Sequence, residues 1–546
     1  MSNQTKPLKS PGRRSFLGRV AQIAAAGTSL SVGGLGVLGL GRHARAQDAG
    51  EEALARSSDP RLLIVLTTTG GASMLDAMLA IRASESANAA TLNCFPDSAV
   101  RTVGPFRAVD IDLNNLGAIP IPVKGRQSAI VEAHQADMMV ATWQRTSVNH
   151  LVGQRRAVSG NNAWYGRTLQ EAVALTYGAG FALPNVHLTA GTGYTERGLD
   201  AALPAYCYGE AVADPRLWPL SLHGSQGIVG APSHGLLEQA RSLRNTRLDP
   251  QSRFGRVFAG SARLEHWEHL RGSPQQALEA QDLINKLMIS PESAEFPLAA
   301  HGLGSSPDGA LVRAAFPEFA RDPLEAQAAL AFLLLKYRLS VPVTLGPSSS
   351  AVINGEAGAT ATDAYDPGED DDENQGIDDD DPTMGAGLPE GSIANPPLSF
   401  DFSHGEHRGV QALMWSRVLG VADRLIGLLK NEEWGNGQSL WDRTMIYVAN
   451  DFGRSKNRPQ GAEQFGTGHD LNDGALILSP LANGGRLLGG IDPDTGITYG
   501  FDPLTGAPDR GRQTTEAEIY AGMAQSLGVS LDGVTLPDMR AMRRSA

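Results

Sequence analysis

Arg61-Leu62-Leu63-Ile64-Val65-Leu66 is an unbroken apolar run, and Thr67-Thr68-Thr69-Gly70-Gly71 follows it directly. A run this short, without polar alternation, predicts a strand buried on both faces. The glycine pair predicts a turn at its carboxyl end, the pattern of a strand in a parallel sheet. Outward from this stretch, strand-like and helix-like segments alternate. Residues 126–135 read as a helix and 138–143 as a strand. Residues 166–174 begin another helix, and 186–188 form a short strand. Residues 250–290 carry apolar side chains at helical spacing, and 325–337 form a helix running into a strand at 341–345. Later come a long amphipathic helix at 409–433, strands at 444–449 and 475–478, and a closing helix at 516–527. This order predicts an α/β fold, a mostly parallel sheet flanked by helices on both faces. No internal repeat stands out.

The 546 residues carry a formal net charge of −13, unevenly placed. Residues 351–395 hold thirteen acids and no Lys or Arg, whereas the first 46 residues hold seven bases and no acid. Without these two stretches the rest carries −7. Nucleic acid is therefore excluded as the main partner, because phosphate neutralisation needs a basic footprint. Residues 350–396 are rich in Gly, Pro and Asp and lack apolar spacing, so they are expected to form a disordered acidic insertion. It divides one α/β domain into an N-terminal part, 61–349, and a C-terminal part, 397–546.

The first 46 residues resemble a twin-arginine signal peptide. Arg13-Arg14-Ser15-Phe16-Leu17 precedes an uncharged, Gly-rich stretch from Val20 to Leu40, and Ala44-Arg45-Ala46 is a small-residue cleavage site. Residues 47–60 then form a linker. The expected partner is the twin-arginine export machinery, and the expected location is periplasmic or secreted. No later apolar run is long enough to span a membrane, so no stable span remains after cleavage. Cys94 and Cys207 either pair in that oxidising compartment or stay as two buried thiols.

In such sheets, sites form at the carboxyl ends of strands. Asn450-Asp451-Phe452-Gly453-Arg454 follows a predicted strand. Asp451 can bind a metal and Arg454 can grip an oxyanion, or the two can form an ion pair at a turn. Asp401-Phe402-Ser403-His404-Gly405-Glu406-His407 precedes the long helix and offers metal ligands, or a cap beside exposed histidines. His469, in Gly466-Thr467-Gly468-His469-Asp470, completes an Asp/His/His set with Asp401 and His404. Thr146-Ser147-Val148-Asn149-His150 offers Ser147 as a nucleophile with His150 as base, ligand or orienter; Ser147 as a cap is the alternative. Asp492-Pro493-Asp494-Thr495-Gly496 begins like a calcium loop but lacks the later acids, so a turn is expected.

Taken in order, these motifs resemble the exported bacterial family known as domain of unknown function 1501, which is similar to the alkaline phosphatase and sulfatase superfamily. The matching segments are Gly70-Gly71-Ala72-Ser73, Thr146 to His150, Ala163-Trp164-Tyr165-Gly166-Arg167, Phe400 to His404, Asn450 to Arg454 and Gly466 to Asp470. They span roughly residues 60–530. The resemblance implies an alkaline phosphatase/sulfatase-like fold with one or two divalent ions (Zn, Ca or Mg). Asp401, His404 and His469 would hold one ion and Asp451 would serve a second. Ser147 would be the nucleophile, with Thr68 or Thr69 behind it, and Arg454 would hold the ester. The substrate implied is a small phosphate or sulfate ester. The sequence also departs from the family pattern. Asp76 is out of register with the first-strand Asp, Asp401 and His404 are one residue further apart, Gly468 replaces an Asp, and Phe452 stands where phosphatases place a ligand. A degenerate relative with no metal, acting as a secreted binding or assembly module, is the alternative.

Overall fold

In this computed structural model the described residues are 59–110, 126–219, 239, 283–346 and 400–544, apart from 190, 191, 213, 217, 295, 296, 302, 321, 406, 460, 461, 463 and 464. The expected signal peptide, most of the linker, the acidic insertion and most of the 250–290 segment lie outside them.

The opening run forms β1 (Leu62–Thr67), and all six of its residues are buried. Leu62 to Leu66 are each 0% exposed, which only coverage of both faces allows; each such side chain contributes roughly 2 kcal/mol of apolar burial. The other strands of the large sheet are β2 (Met138–Gln144), β3 (Val186–His187), β4 (Glu210–Ala211), β5 (Pro342–Leu345), β6 (Thr444–Ala449), β7 (Asn472–Leu478) and β8 (Arg486–Leu488). Their spatial order is β8-β2-β7-β6-β1-β5-β3-β4. The sheet is mixed: β7 runs antiparallel to both neighbours, β6 and β2, and the other pairings are parallel.

Six of the helices among the described residues form two groups around it. α1 (Gln127–His134), α4 (Pro323–Lys336) and α5 (His407–Asn431) pack together, with α4 on β5. α2 (His150–Ser159), α3 (Leu169–Tyr177) and α6 (Glu516–Ser526) form the other group, against β6, β1 and β2. Start signals are local. Thr168 and Thr515 cap α3 and α6 in reciprocal boxes with Glu171 and Glu518. Asp322 caps α4 ahead of Pro323, and its carboxylate also pairs with the fully buried Arg417 of α5.

The reversed strand decides where the site forms. β1 and β6 are parallel, with Thr67 beside Ala449, so Gly70-Gly71 and Asp451 leave the sheet together. β7 starts at Asn472 opposite Gln144, the last residue of β2. The segment before β7, carrying His469, therefore meets the segment after β2, carrying His150. A parallel β7 would have sent His469 to the opposite edge.

Past β8, the expected turn at Asp492 is present, and it occurs twice. Asp492 Oδ1 accepts from the amides of Asp494 and Thr495, and Asp502 Oδ1 accepts from those of Leu504 and Thr505. Gly496 and Gly506 close the two turns at φ 69° and 77°, a left-handed conformation natural to glycine. Asp-Pro-x-Thr-Gly is thus a short internal repeat that builds a three-stranded meander. Cys94 and Cys207 are buried and unpaired, in separate apolar clusters. Among the described residues no helix is long and apolar enough to cross a membrane.

His187, the last residue of β3, gives a pH prediction. Its ring packs against Gly209, its Nε2 has no hydrogen-bond partner, and burial holds its pKa down at about 4. The unfolded chain protonates this imidazole near 6.5 and the folded chain does not, so stability present above pH 6.5 is lost as pH falls toward 4. The expected difference between pH 7.5 and 4.5 is about 2–3 kcal/mol. Urea unfolding at the two pH values should show His187→Phe losing less in acid than the parent by about that amount.

Candidate metal centre

Five chain segments meet at the edge just described. Asn149 caps α2 by accepting the Val152 amide, which starts the helix at His150. His150 Nδ1 lies 2.8 Å from Asp451 Oδ2. That carboxylate also accepts the amides of Gly70 (2.9 Å) and Gly71 (2.8 Å), and it is 0% exposed. On the other side, the Phe400 amide donates to Thr69 O, which brings Asp401 beside the β1 turn. Gly70, at φ 93°, is required there, since a Cβ would overlap the Asp401 backbone.

Asp401 Oδ1 is the focus of the group. It lies 3.5 Å from His150 Nε2, 3.4 Å from His404 Nε2 and 3.8 Å from His469 Nε2. His404 Nε2 and His469 Nε2 are 3.0 Å apart. Donors around a tetrahedral zinc, each at about 2.0–2.1 Å, stand about 3.4 Å from one another. His150, Asp401 and His469 each offer a ligand atom within 4.8 Å of the others, so this group could hold a metal ion.

Proton placement favours that use. His469 Nδ1 faces Val148 O at 3.0 Å, and a carbonyl only accepts, so Nδ1 carries the hydrogen. His150 Nδ1 donates to Asp451 in the same way. With Nδ1 so engaged, each ring can offer Nε2 to an ion in exchange for any proton it carries there, the arrangement that outer partners impose on metal-binding histidines. Phe452, fully buried, packs against both rings, with centroids 4.7 Å from His150 and 4.0 Å from His469.

Charges in the group are strongly coupled. Burial pushes the Asp401 pKa up, but His150, His404, His469 and Arg454 outweigh it and hold it well below the usual carboxylate range. Burial lowers the His150 pKa, yet Asp401 and Asp451 together raise it above its usual value. For His469 burial prevails and the pKa is lowered. The Asp401, His404 and His469 side chains are 31%, 23% and 20% exposed, so solvent reaches the cluster.

The candidate residues divide as follows. Asp401, His404 and His469 converge. Asp451 does not join them as an independent ligand: its oxygens are taken by two glycine amides and by His150, behind which it stands. Arg454 does not face the opening. It is 0% exposed and donates to Gly70 O, Thr467 O, Phe400 O and Asp401 Oδ1, the last at 2.8 Å. It orients the carboxylate instead of gripping an ester. Ser147 Oγ accepts the Asn149 amide, and among the described residues it makes no hydrogen bond to the histidines. Thr68 Oγ1 is spent on Ala449 O, while Thr69 Oγ1 is buried without a partner. His150, which the sequence offers beside Ser147 as base, ligand or orienter but not in the expected metal set, is the added member of the cluster. Its signal was the Asn cap just past a strand end. No family model, curated protein or solved structure matches the chain.

Proposed function

We propose that the chain is an exported, metal-dependent hydrolase of phosphate or sulfate esters, built like the alkaline phosphatase and sulfatase superfamily and related to the domain of unknown function 1501 family. The observation that carries this reading is the convergence of three imidazole Nε2 atoms on one Asp401 oxygen in a solvent-reached group. His150, Asp401, His404 and His469 would hold one divalent ion, and a nitrogen-rich set with one carboxylate suits zinc. Such an ion supplies Lewis acidity, activating water at neutral pH and drawing charge from an ester oxygen. Asp451 and Val148 O keep the hydrogens of His150 and His469 on Nδ1, and Arg454 keeps Asp401 turned inward. With Asp451 engaged behind His150, one ion is favoured over two. The twin-arginine-like leader supports export in a folded, loaded form.

Metal analysis of the protein purified after export, with p-nitrophenyl phosphate and sulfate as substrates, tests this. About one equivalent of bound ion is expected, with turnover lost on chelation and restored by zinc. Less than about a tenth of an equivalent, with no turnover on either ester after zinc is added, would instead assign the protein as a secreted binding module.

A further inference from the structure

A further imidazole lies between the loops of the centre and is not used by it. His407, the first residue of α5, is 0% exposed. Its Nε2 stands 2.9 Å from Asp76 Oδ2 and its Nδ1 2.8 Å from Thr467 Oγ1. Asn93 Nδ2 donates to both Asp76 oxygens, at 3.0 and 3.1 Å. Asn93 Oδ1 accepts from Arg408 Nε at 3.2 Å, which fixes the orientation of that amide. Asp76, Asn93 and Thr467 are 3%, 1% and 4% exposed, so the row is closed to solvent. This excludes the Thr467 hydroxyl from attacking a substrate.

The row joins three of the segments that build the centre. Asp76 belongs to the loop after β1, His407 opens the helix that follows Asp401 and His404, and Thr467 lies two residues before His469. Thr467 is pinned at each polar atom. Its amide donates to Ser403 O at 2.9 Å, its carbonyl accepts from Arg454 at 2.9 Å, and its hydroxyl meets His407. The pinning matters because Gly466 and Gly468 flank it. Two glycines give this segment wide backbone freedom; beyond them His469 pairs with Arg454, and Thr467 is what sets the direction in which the loop approaches that pairing. An apolar side chain at 467 would fill the space without fixing that direction, whereas hydrogen bonds are directional.

We propose that His407 is a positioning residue of the metal centre: held by Asp76, it fixes Thr467 and thereby the loop that presents His469. The proposal rests on the metal reading above. Thr467→Val keeps shape and removes the hydroxyl; Thr467→Ser keeps the hydroxyl. Cobalt(II) titration of the full exported chain reads both affinity and the visible ligand-field spectrum. Thr467→Val is expected to bind cobalt roughly 10–100-fold more weakly, with an altered spectrum, in a protein that still melts cooperatively at a somewhat lower temperature because His407 Nδ1 loses its buried partner. Thr467→Ser is expected to restore the parent's affinity and spectrum, and His407→Gln to behave like Thr467→Val. A Thr467→Val protein with the parent's affinity and spectrum would overturn the positioning role alone. A parent that takes up no cobalt would overturn the metal reading and this role together.

Discussion

Asp401→Asn is expected to lower zinc affinity by more than the roughly 100-fold that outer partners of metal ligands account for. Asp401 Oδ1 is the one atom approached by all three Nε2 nitrogens, and its charge is the anionic component of the set. Asparagine keeps the shape and still offers a carbonyl oxygen to Arg454, so the fold should survive. Alanine should not be as mild. Both variants remove the charge facing the fully buried Arg454 guanidinium, but alanine also removes the acceptor at 2.8 Å, so its cost should lie nearer the about 3–5 kcal/mol of breaking a buried pair. Equilibrium dialysis against zinc, paired with urea unfolding of both variants, separates the two effects. Asp401→Asn proteins that bind zinc as the parent does would mean that this carboxylate is not a ligand. The pH response has a definite sign. The folded pKa of Asp401 lies below its unfolded value, so its contribution to stability is present above the unfolded pKa and lost as pH falls through the folded one. Asp401→Asn should flatten that part of the acid limb.

Much of this was legible in the chain, for physical reasons that differ by element. β1 could be read because a strand covered on both faces needs an unbroken apolar run. The Asp401–His404 and His469 motifs could be read because ligand chemistry needs those side chains near a loop. The direction of β7 could not be read. Its residues are buried on both faces either way, and only its pairing with β2 and β6 reveals the reversal. Side-chain direction was equally hidden. Asp451 and Arg454 have the right chemistry at the right strand end, yet the Gly70-Gly71 amides and backbone carbonyls of neighbouring segments turn them inward. The second Asp-Pro-x-Thr-Gly turn, at Asp502, is disguised in the sequence by Leu504, which replaces the acid at the third position, although the turn chemistry resides in Asp502, Thr505 and Gly506.

Asp451→Asn separates orienting from ligating. The carboxylate accepts on both oxygens: Gly71 N and its neighbour Phe452 N on Oδ1, Gly70 N and His150 Nδ1 on Oδ2. An amide can accept on only one of its two atoms. With its NH2 toward His150, asparagine donates to Nδ1 and drives the imidazole hydrogen onto Nε2, the atom that faces Asp401. The lone pair required of a ligand is then blocked, a wrong-tautomer effect of the kind produced when a triad aspartate becomes asparagine. The opposite rotamer sets the NH2 against two backbone donors. Zinc affinity is therefore expected to fall roughly 10–100-fold with the stoichiometry unchanged, because His404, His469 and Asp401 remain in place. Asp451→Ala removes acceptors from two buried glycine amides at once and should also destabilise the fold, by about 2–6 kcal/mol. Imidazole nitrogen chemical shifts of His150, compared between parent and Asp451→Asn without metal, report the tautomer directly. A hydrogen still on Nδ1 would overturn the tautomer effect, and a complete loss of metal in the asparagine variant would return Asp451 to the ligand set and restore the case for a second ion.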